Sequence, residues 1–352
     1  FVRRGEPAIL DKWHRAELAL KAGFDLVVEL PCLYAISSAE NFANGAMKIA
    51  NAINSSFISF GSECGDLQQL KNLSKLLIDN EDIYISLVKK KISEGFSYPK
   101  SQELAIDQLF GSEFKGLCKP NNILGLEYLK SLNRLHSSIV PITIERKKSN
   151  LLSSSDIRKL IRSGSFSNLN SAIPNFVFNT LSDSKNMVLS LKSFEKEIFY
   201  ILRTCDLKYL ENIPDIPNNM ITNLKKSADT CNSLDDLISN LKNKSITQAR
   251  IQRILIYILL GITKNDILIS KNITPYIRIL GMNNIGKKLL PSISKSCSVV
   301  TSVKNFDDSC NDVNLLRLLE IDKRATDIYT LAYASGSKAN LDYTTKIVTL
   351  DN

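Results

Sequence analysis

Residues 1–150 alternate short apolar runs with longer amphipathic ones, and no other feature narrows the possible folds as much. Residues 25–30 (Asp-Leu-Val-Val-Glu-Leu) form one apolar run, stopped by Pro31. Residues 56–60 form a second, ending at Gly61-Ser62-Glu63, and residues 138–145 a third, rich in β-branched side chains. Each is short enough to be a strand covered on both faces. Around them, residues 11–22, 37–53, 67–77, 82–94, 100–109 and 122–132 carry apolar side chains at helical spacing, and a further helix occupies 155–162. Strands alternating with helices predict an α/β fold with a buried parallel sheet. Right-handed crossovers place the loops after the strands on one edge, where ligands of such sheets bind. The loops to watch are those at Gly61, around Arg146, and after a strand preceding residue 1.

That last loop is expected to be missing. The chain opens without Met on Phe1-Val2-Arg3-Arg4-Gly5-Glu6-Pro7, a polar turn leading directly into a helix. The strand and turn that should precede it are usually the most informative phosphate-binding element of such a fold. From about residue 165 the character changes. Residues 193–204, 220–227, 234–242, 247–260 and 313–332 read as helices, 276–280 and 298–303 as brief strands, and 211–219, with Pro214 and Pro217, as a loop. For 352 residues two domains are expected: an α/β domain over 1–164 and a mainly helical one over 165–352.

A hydrophobic content of 44% is enough for a sizeable core, yet no apolar run could span a bilayer. The longest, residues 251–262, is interrupted by Arg253. Seven scattered cysteines without a Cys-x-x-Cys pair fit reduced thiols in a cytoplasmic protein better than disulfides or a zinc site. Two histidines, His14 and His136, exclude a His-rich metal cluster, and no metal ligands are predicted. The net charge of +9 is concentrated. Residues 242–295 carry ten cations against Asp266 alone, and residues 134–162 seven against Glu145 and Asp156. One basic concentration in each half suits a polyanion touching both, although a solvated basic face would look the same.

Ser153-Ser154-Ser155-Asp156-Ile157-Arg158-Lys159 follows a strand and opens a helix. Its hydroxyls, free amides and Arg158 suit a phosphate, while a plain serine cap has the same signature. Arg146, Lys147 and Lys148 end the preceding strand, so cations from two consecutive elements meet at one edge, which favours phosphate. Gly61 would let a ligand ring or phosphate approach the backbone, or simply turn the chain. Pro120-Asn121-Asn122-Ile123-Leu124-Gly125 sets two amides at a helix start, either as a cap or as partners for a base or phosphate. Lys12, His14 and Arg15 cluster on the first helix; His14 is a candidate acid–base group and Trp13 a core or stacking residue. In the second half Arg250 and Arg253 share a helix face, with Tyr276, Arg278, Asn283, Asn284, Lys287 and Lys288 following. Aromatic and amide groups among cations suit RNA. The alternative is that the two arginines pair with acids such as Asp327.

Taken in order, several segments resemble the bacterial tRNA(Met) cytidine acetate ligase family over nearly the whole chain. They are Arg4-Gly5-Glu6-Pro7-Ala8-Ile9 with Asp11-Lys12-Trp13, Asp25-Leu26-Val27-Val28-Glu29-Leu30-Pro31, Phe60-Gly61-Ser62-Glu63, Ser97-Tyr98-Pro99-Lys100, Pro120-Asn121-Asn122-Ile123-Leu124-Gly125, Arg250-Ile251-Gln252-Arg253 and Arg324-Ala325-Thr326-Asp327-Ile328-Tyr329. The resemblance implies a Rossmann-like, nucleotidyltransferase-type sheet domain with a His-x-Gly-His turn, followed by a mainly helical tRNA-binding domain. It implies a ligase that uses ATP, with Mg²⁺, to convert acetate to acetyl-adenylate. The acetyl group then passes to the wobble cytidine of elongator tRNA(Met), giving N-acetylcytidine. Gly61, Asn121 and Arg146 match ATP-binding positions, and Ser153, Ser154, Ser155 and Arg158 resemble a Ser/Thr-x-Ile-Arg phosphate segment. Arg146 and Arg158 would offset charge developing at the α-phosphate. Arg250, Arg253, Arg278, Lys287 and Lys288 would hold tRNA.

Two departures stand against this. The His-x-Gly-His turn is not in the sequence, and residues 147–152 stand where the family carries Gly-x-Gly-Tyr-His-Asp. The chain by itself is therefore expected to be inactive, or to be a piece of a longer gene product. A small-molecule adenylyltransferase and a non-catalytic tRNA-binding relative are the alternatives. The basic helical second half counts against the first of these.

Overall fold

The computed structural model describes residues 1–3, 5–146, 152–165, 169–184, 188–244, 246–334, 336 and 338–350. The chain begins with α1 (Lys12–Lys21), β1 (Leu26–Glu29), α2 (Cys32–Ala35), α3 (Ala39–Ala52) and β2 (Phe57–Ser62). Then come α4 (Leu67–Asp79), α5 (Glu81–Ser93), α6 (Tyr98–Phe110), α7 (Pro120–Arg134), β3 (Val140–Glu145) and α8 (Ser154–Arg162). A helical stretch follows with α9 (Asn175–Asp183), α10 (Glu195–Thr204), α11 (Leu207–Asn212), α12 (Asn218–Thr230), α13 (Leu234–Leu241), α14 (Gln248–Leu260) and α15 (Lys264–Asn272). The last elements are β4 (Ile277–Asn283), α16 (Asn284–Ile293), β5 (Val299–Val300), α17 (Val303–Ser309), α18 (Val313–Leu331), α19 (Leu341–Thr344) and β6 (Val348–Leu350).

The expected α/β class is observed. β2 and β3 pair in parallel, from Phe57 opposite Val140 to Ser62 opposite Glu145. One face of this pair packs through Phe60 onto Leu70, Leu73, Leu126 and Leu129 of α4 and α7. Gly125 makes the fit possible, because a Cβ there would lie 2.6 Å from the Phe60 ring. α7 can therefore press directly onto β2.

The expectation of one parallel sheet holding all the early strands is not met. β1 pairs antiparallel with β4, Leu26 opposite Met282 and Glu29 opposite Arg278, while β5 and β6 pair with β4 in parallel. Among the described residues, β1 and β2 thus lie in different sheets. The apolar side chains of β1 find their complement in Ile277, Ile279 and Ile293. Period-2 patterning cannot choose between such partners, because it fixes a face and not a neighbour.

For the same reason residues 164 and 165 do not divide two cores. The largest core joins Leu33, Tyr34 and Ile36 to Phe194, Leu224, Leu255 and Leu318. The fully buried Tyr34 donates its hydroxyl to the Ser270 carbonyl at 2.7 Å. At the centre lies α14, buried on nearly every side from Ile254 to Leu260, which accounts for the longest apolar run of the sequence. It stops at Gly261, whose φ of 60° closes the helix in the left-handed region. Among the described residues no helix is long and apolar enough to cross a membrane. α16 has no counterpart among the expected helices. It starts directly from β4 because Asn283 accepts from the backbone N–H groups of Ile285 and Gly286.

Candidate functional site

A cleft of about 990 Å³ has walls from several separate parts of the chain. Arg3, Glu6 and Arg15 come from the opening segment, and Asn121 from the start of α7. Arg146 follows β3, and Ser153, Ser154, Ser155 and Arg158 belong to the start of α8. Gln248 and Gln252 of α14 complete it. A smaller hollow of about 390 Å³ is lined by Gly61, Phe60 and Tyr128, and Asn121 and Arg146 belong to both. All the nucleotide-site residues expected from sequence therefore line one of two hollows that share two side chains.

Arg146 is placed by the sheet. Its backbone N–H donates to the Ser62 carbonyl at 2.8 Å, continuing the β2–β3 ladder. Its side-chain stem lies over Gly61, where a Cβ would be 3.2 Å from Arg146 Cγ. The sequence suggests that Gly61 admits a ligand, and in this structure it admits the arginine stem. The guanidinium end of Arg146 is left at the exposed side.

The turn after β2 is tied to the start of α7. Ser62 Oγ accepts from Thr143 Oγ1 at 2.8 Å and from the Gly65 N–H at 3.0 Å, and Gly65 takes a φ of 67°. Glu63 Oε1 accepts from the Asn121 side chain at 2.7 Å and its backbone N–H at 3.1 Å. Glu63 Oε2 accepts from the Asn122 N–H at 2.8 Å. Burial pushes the Glu63 carboxyl up, but these hydrogen bonds outweigh it and hold it below its ordinary value. The amides at the start of α7 are thus taken by Glu63 and are not open to a phosphate. Asn122 belongs to the same lock, since its Oδ1 accepts from Glu63 N at 2.8 Å.

α8 begins with a capping box. Ser153 Oγ accepts from Asp156 N, and the Asp156 carboxylate accepts from Ser153 N. Ser153 is therefore the plain cap considered above. Ser154 and Ser155 are exposed, and Arg158 reaches back to within 3.4 Å of Ser155 Oγ. Arg162 pairs with Glu6 at 2.8 Å. Gly5 lies so close to α14 that a Cβ would sit 2.2 Å from Arg253 N. The opening turn therefore holds α14 against the cleft. Arg4, Lys147, Lys148 and the rest of 147–151 lie outside the described residues.

The other expected residues separate. His14 is not in the cleft. Its Nδ1 lies 2.8 Å from Asp11 Oδ2, and this hydrogen bond raises its pKa against the opposing effect of burial. Asp11 also caps α1 and accepts from the Tyr333 hydroxyl. Trp13 is buried in the core. Arg250 donates to the Asp215 carbonyl at 2.8 and 3.1 Å, and Arg253 pairs with Asp215 Oδ2 at 2.6 Å. The acid that Arg253 meets is therefore Asp215, whose backbone carbonyl also takes Arg250, while Asp327 accepts from Asn340 N instead. Lys287 and Lys288 are exposed on α16.

Arg278 is only 4% exposed and pairs with Glu29 at 3.1 Å and Asp342 at 2.6 Å, beside Lys12, which meets the same two acids. It offers no surface to RNA, which corrects that expectation. Glu63 is the residue that sequence reasoning misses: it ties the turn after β2 to the start of α7. The available signal is an acid straight after a strand-ending Gly-Ser, with an Asn-Asn helix start downstream.

Residues 1–343 match the family described as HIGH Nucleotidyl Transferase. A Thermoanaerobacter sp. protein named tRNA(Met) cytidine acetate ligase is 38% identical over 367 residues, covering 99% of this chain and 90% of the relative. A protein of the same name from Acetivibrio thermocellus is 34% identical over 375 residues, again covering 99% and 90%. Among solved structures, Thermotoga maritima TmcAL bound with alpha-thio ATP matches with a TM-score of 0.93 at 26% identity, over 100% of this chain and 90% of that one.

Proposed function

The chain belongs to the HIGH nucleotidyl transferase family, and on that premise we propose that it is an ATP-dependent ligase acting on tRNA, converting acetate to acetyl-adenylate and passing the acetyl group to the wobble cytidine of elongator tRNA(Met) to give N-acetylcytidine. The names of its relatives support this reading, and one structural observation carries it. Asn121, Arg146, Ser154, Ser155 and Arg158 line one cleft, together with Gln248 and Gln252 of α14.

In this proposal the nucleotide lies across the two hollows, against Gly61, Asn121 and Arg146, with its phosphates towards Ser154, Ser155 and Arg158. An acetate oxygen bonds to the α-phosphorus and pyrophosphate leaves. Arg146 and Arg158 offset the charge that builds on the phosphoryl oxygens, so no protein nucleophile is needed. The cytidine amine then attacks the acetyl carbon, AMP leaves, and the amine loses a proton. Mg²⁺ would arrive on the ATP phosphates. Among the described residues no three His, Cys, Asp or Glu side chains converge into a metal site.

Residues 1–164 are proposed to handle the nucleotide and 165–352 the tRNA, in the cytoplasm. This is a division of labour within one packed body. The tRNA surface comprises Lys287 and Lys288 of α16, with Arg250 and Arg253 of α14 beside the cleft.

The test is incubation of the protein, carrying any coding sequence that lies upstream of Phe1, with labelled acetate, ATP and Mg²⁺, with and without elongator tRNA(Met). Label on cytidine is the expected result. Acetyl-adenylate with no labelled tRNA would point instead to a small-molecule adenylyltransferase. Bound tRNA with no adenylate would point to a non-catalytic relative.

A further inference from the structure

A carboxamide can offer a nucleobase either a donor or an acceptor. At the six position of a purine that choice decides the base, because the amine of adenine donates and the oxygen of hypoxanthine or guanine accepts. Asn121 is the carboxamide shared by both hollows. Its orientation is set from behind. Glu63 Oε1 takes a hydrogen bond from Asn121 Nδ2 at 2.7 Å, and a carboxylate has only acceptors to offer. Turning the amide over would place two acceptor oxygens against each other. The Asn121 carbonyl oxygen takes no hydrogen bond from the described residues, so it is the group left for a ligand.

Glu63 cannot easily yield. It also accepts from the N–H groups of Asn121 and Asn122, at 3.1 and 2.8 Å. Asn122 Oδ1 in return holds the N–H groups of Glu63 and Cys64, at 2.8 and 3.3 Å. The strand-end turn and the helix start therefore fix each other, and the Asn121 amide between them has one allowed orientation.

We propose that Glu63 is a positioning residue for base selection: by locking Asn121 it presents an acceptor to the amine of adenine and turns away six-oxo purines. This rests on the reading that ATP occupies these hollows.

The test compares Kd values of the full chain for ATP and inosine triphosphate. The unaltered chain is expected to prefer ATP by roughly 10- to 100-fold, the size of one mismatched buried hydrogen bond. Glu63→Gln brings in a side chain that can donate to the Asn121 oxygen and so permits the flipped amide. It should compress the ratio to within about threefold on the same reasoning. Glu63→Asp, which keeps the carboxylate, should retain most of the preference. Asn121→Ala should compress the ratio alone, and adding Glu63→Gln to it should change the ratio no further. A purely structural Glu63 would weaken both nucleotides alike, and an unchanged ratio in a folded Glu63→Gln protein overturns the proposal while leaving ATP binding intact. Should Glu63→Gln not fold, a full ATP preference in Asn121→Ala overturns it equally. If the unaltered chain binds neither nucleotide, the underlying reading of the cleft fails, and this inference with it.

Discussion

Arg146 and Arg278 look alike in the sequence: each is a cation in or at the end of an apolar run, within a basic stretch of the chain. Their fates in the fold are opposite. Arg146 rests its stem on Gly61 and keeps its charge at an open cleft, while Arg278 is sealed between Glu29 of the neighbouring strand and Asp342 of α19. Lys12 joins Arg278, so two cations face two carboxylates in a largely buried set. What separates the cases is whether distant acids arrive. A buried cation is tolerated only as part of a neutral, hydrogen-bonded set, and such a set has no charge left for a ligand. A basic stretch of sequence therefore overstates the basic surface.

The buried side of this comparison should show the largest response. Arg278→Met leaves Glu29 and Asp342 short of a cation and should cost about 3–5 kcal/mol of unfolding free energy, measured from the denaturant midpoint at constant slope. A variant of normal stability with weakened tRNA affinity would break the contrast, since Arg278 would then have to face solvent. The open side should respond the other way. Arg146→Ala should alter stability by no more than about 0.5 kcal/mol. ATP affinity should fall roughly 10- to 100-fold, the worth of a charge-assisted hydrogen bond to phosphate. Equal ATP affinity in titration would remove Arg146 from the site.

Reversing Lys287 and Lys288 to Glu is expected to have a smaller, salt-dependent effect on tRNA binding. The slope of log K against log salt should shrink by up to about 0.7–0.9 for each phosphate that a lysine no longer neutralises, with ATP binding unchanged. Weaker ATP binding instead would undo the division of labour.

The smallest effect concerns His14. Its hydrogen bond to Asp11 holds its pKa above the ordinary 6.5 against burial, so the stabilisation is fully present below that pH. It is lost as pH rises through the higher folded value. Half-exposed and screened, the effect should stay under about 1 kcal/mol, and His14→Gln should flatten that part of the stability profile. A profile that keeps its slope would mean another group carries it.

Local physics is legible in the sequence wherever it is local in the fold. Asp11 before an amphipathic run announces α1, the Ser153–Asp156 pair announces α8, and alternation announces β3. The proposed nucleotide cleft is legible for the same reason, as its lining residues sit at the ends of neighbouring elements. What stays hidden depends on partners remote in the chain. Nothing near Arg253 points to Asp215, which takes a φ of 64° in a Pro-flanked turn. Nothing near Asp25 tells it to hold Asn283, whose caps for Ile285 and Gly286 start α16. Glu63 is in plain sight, but its role appears only when α7 is brought against it.

The antiparallel pairing of β1 with β4 also sets a timetable. Leu26 meets Met282, so β1 has no partner until synthesis has reached β4. At ordinary rates of synthesis that wait lasts roughly ten to fifty seconds, long beside the time a small domain needs to collapse. Meanwhile Lys12 and Glu29 have only each other, and the apolar side chains of Leu26 and Val28 stay uncovered. The growing chain is thus most exposed to aggregation, and most in need of a holding chaperone, around β1. A ribosome that stalls before residue 277 would release a polypeptide with its α4–α7 core complete and its first strand still unpaired.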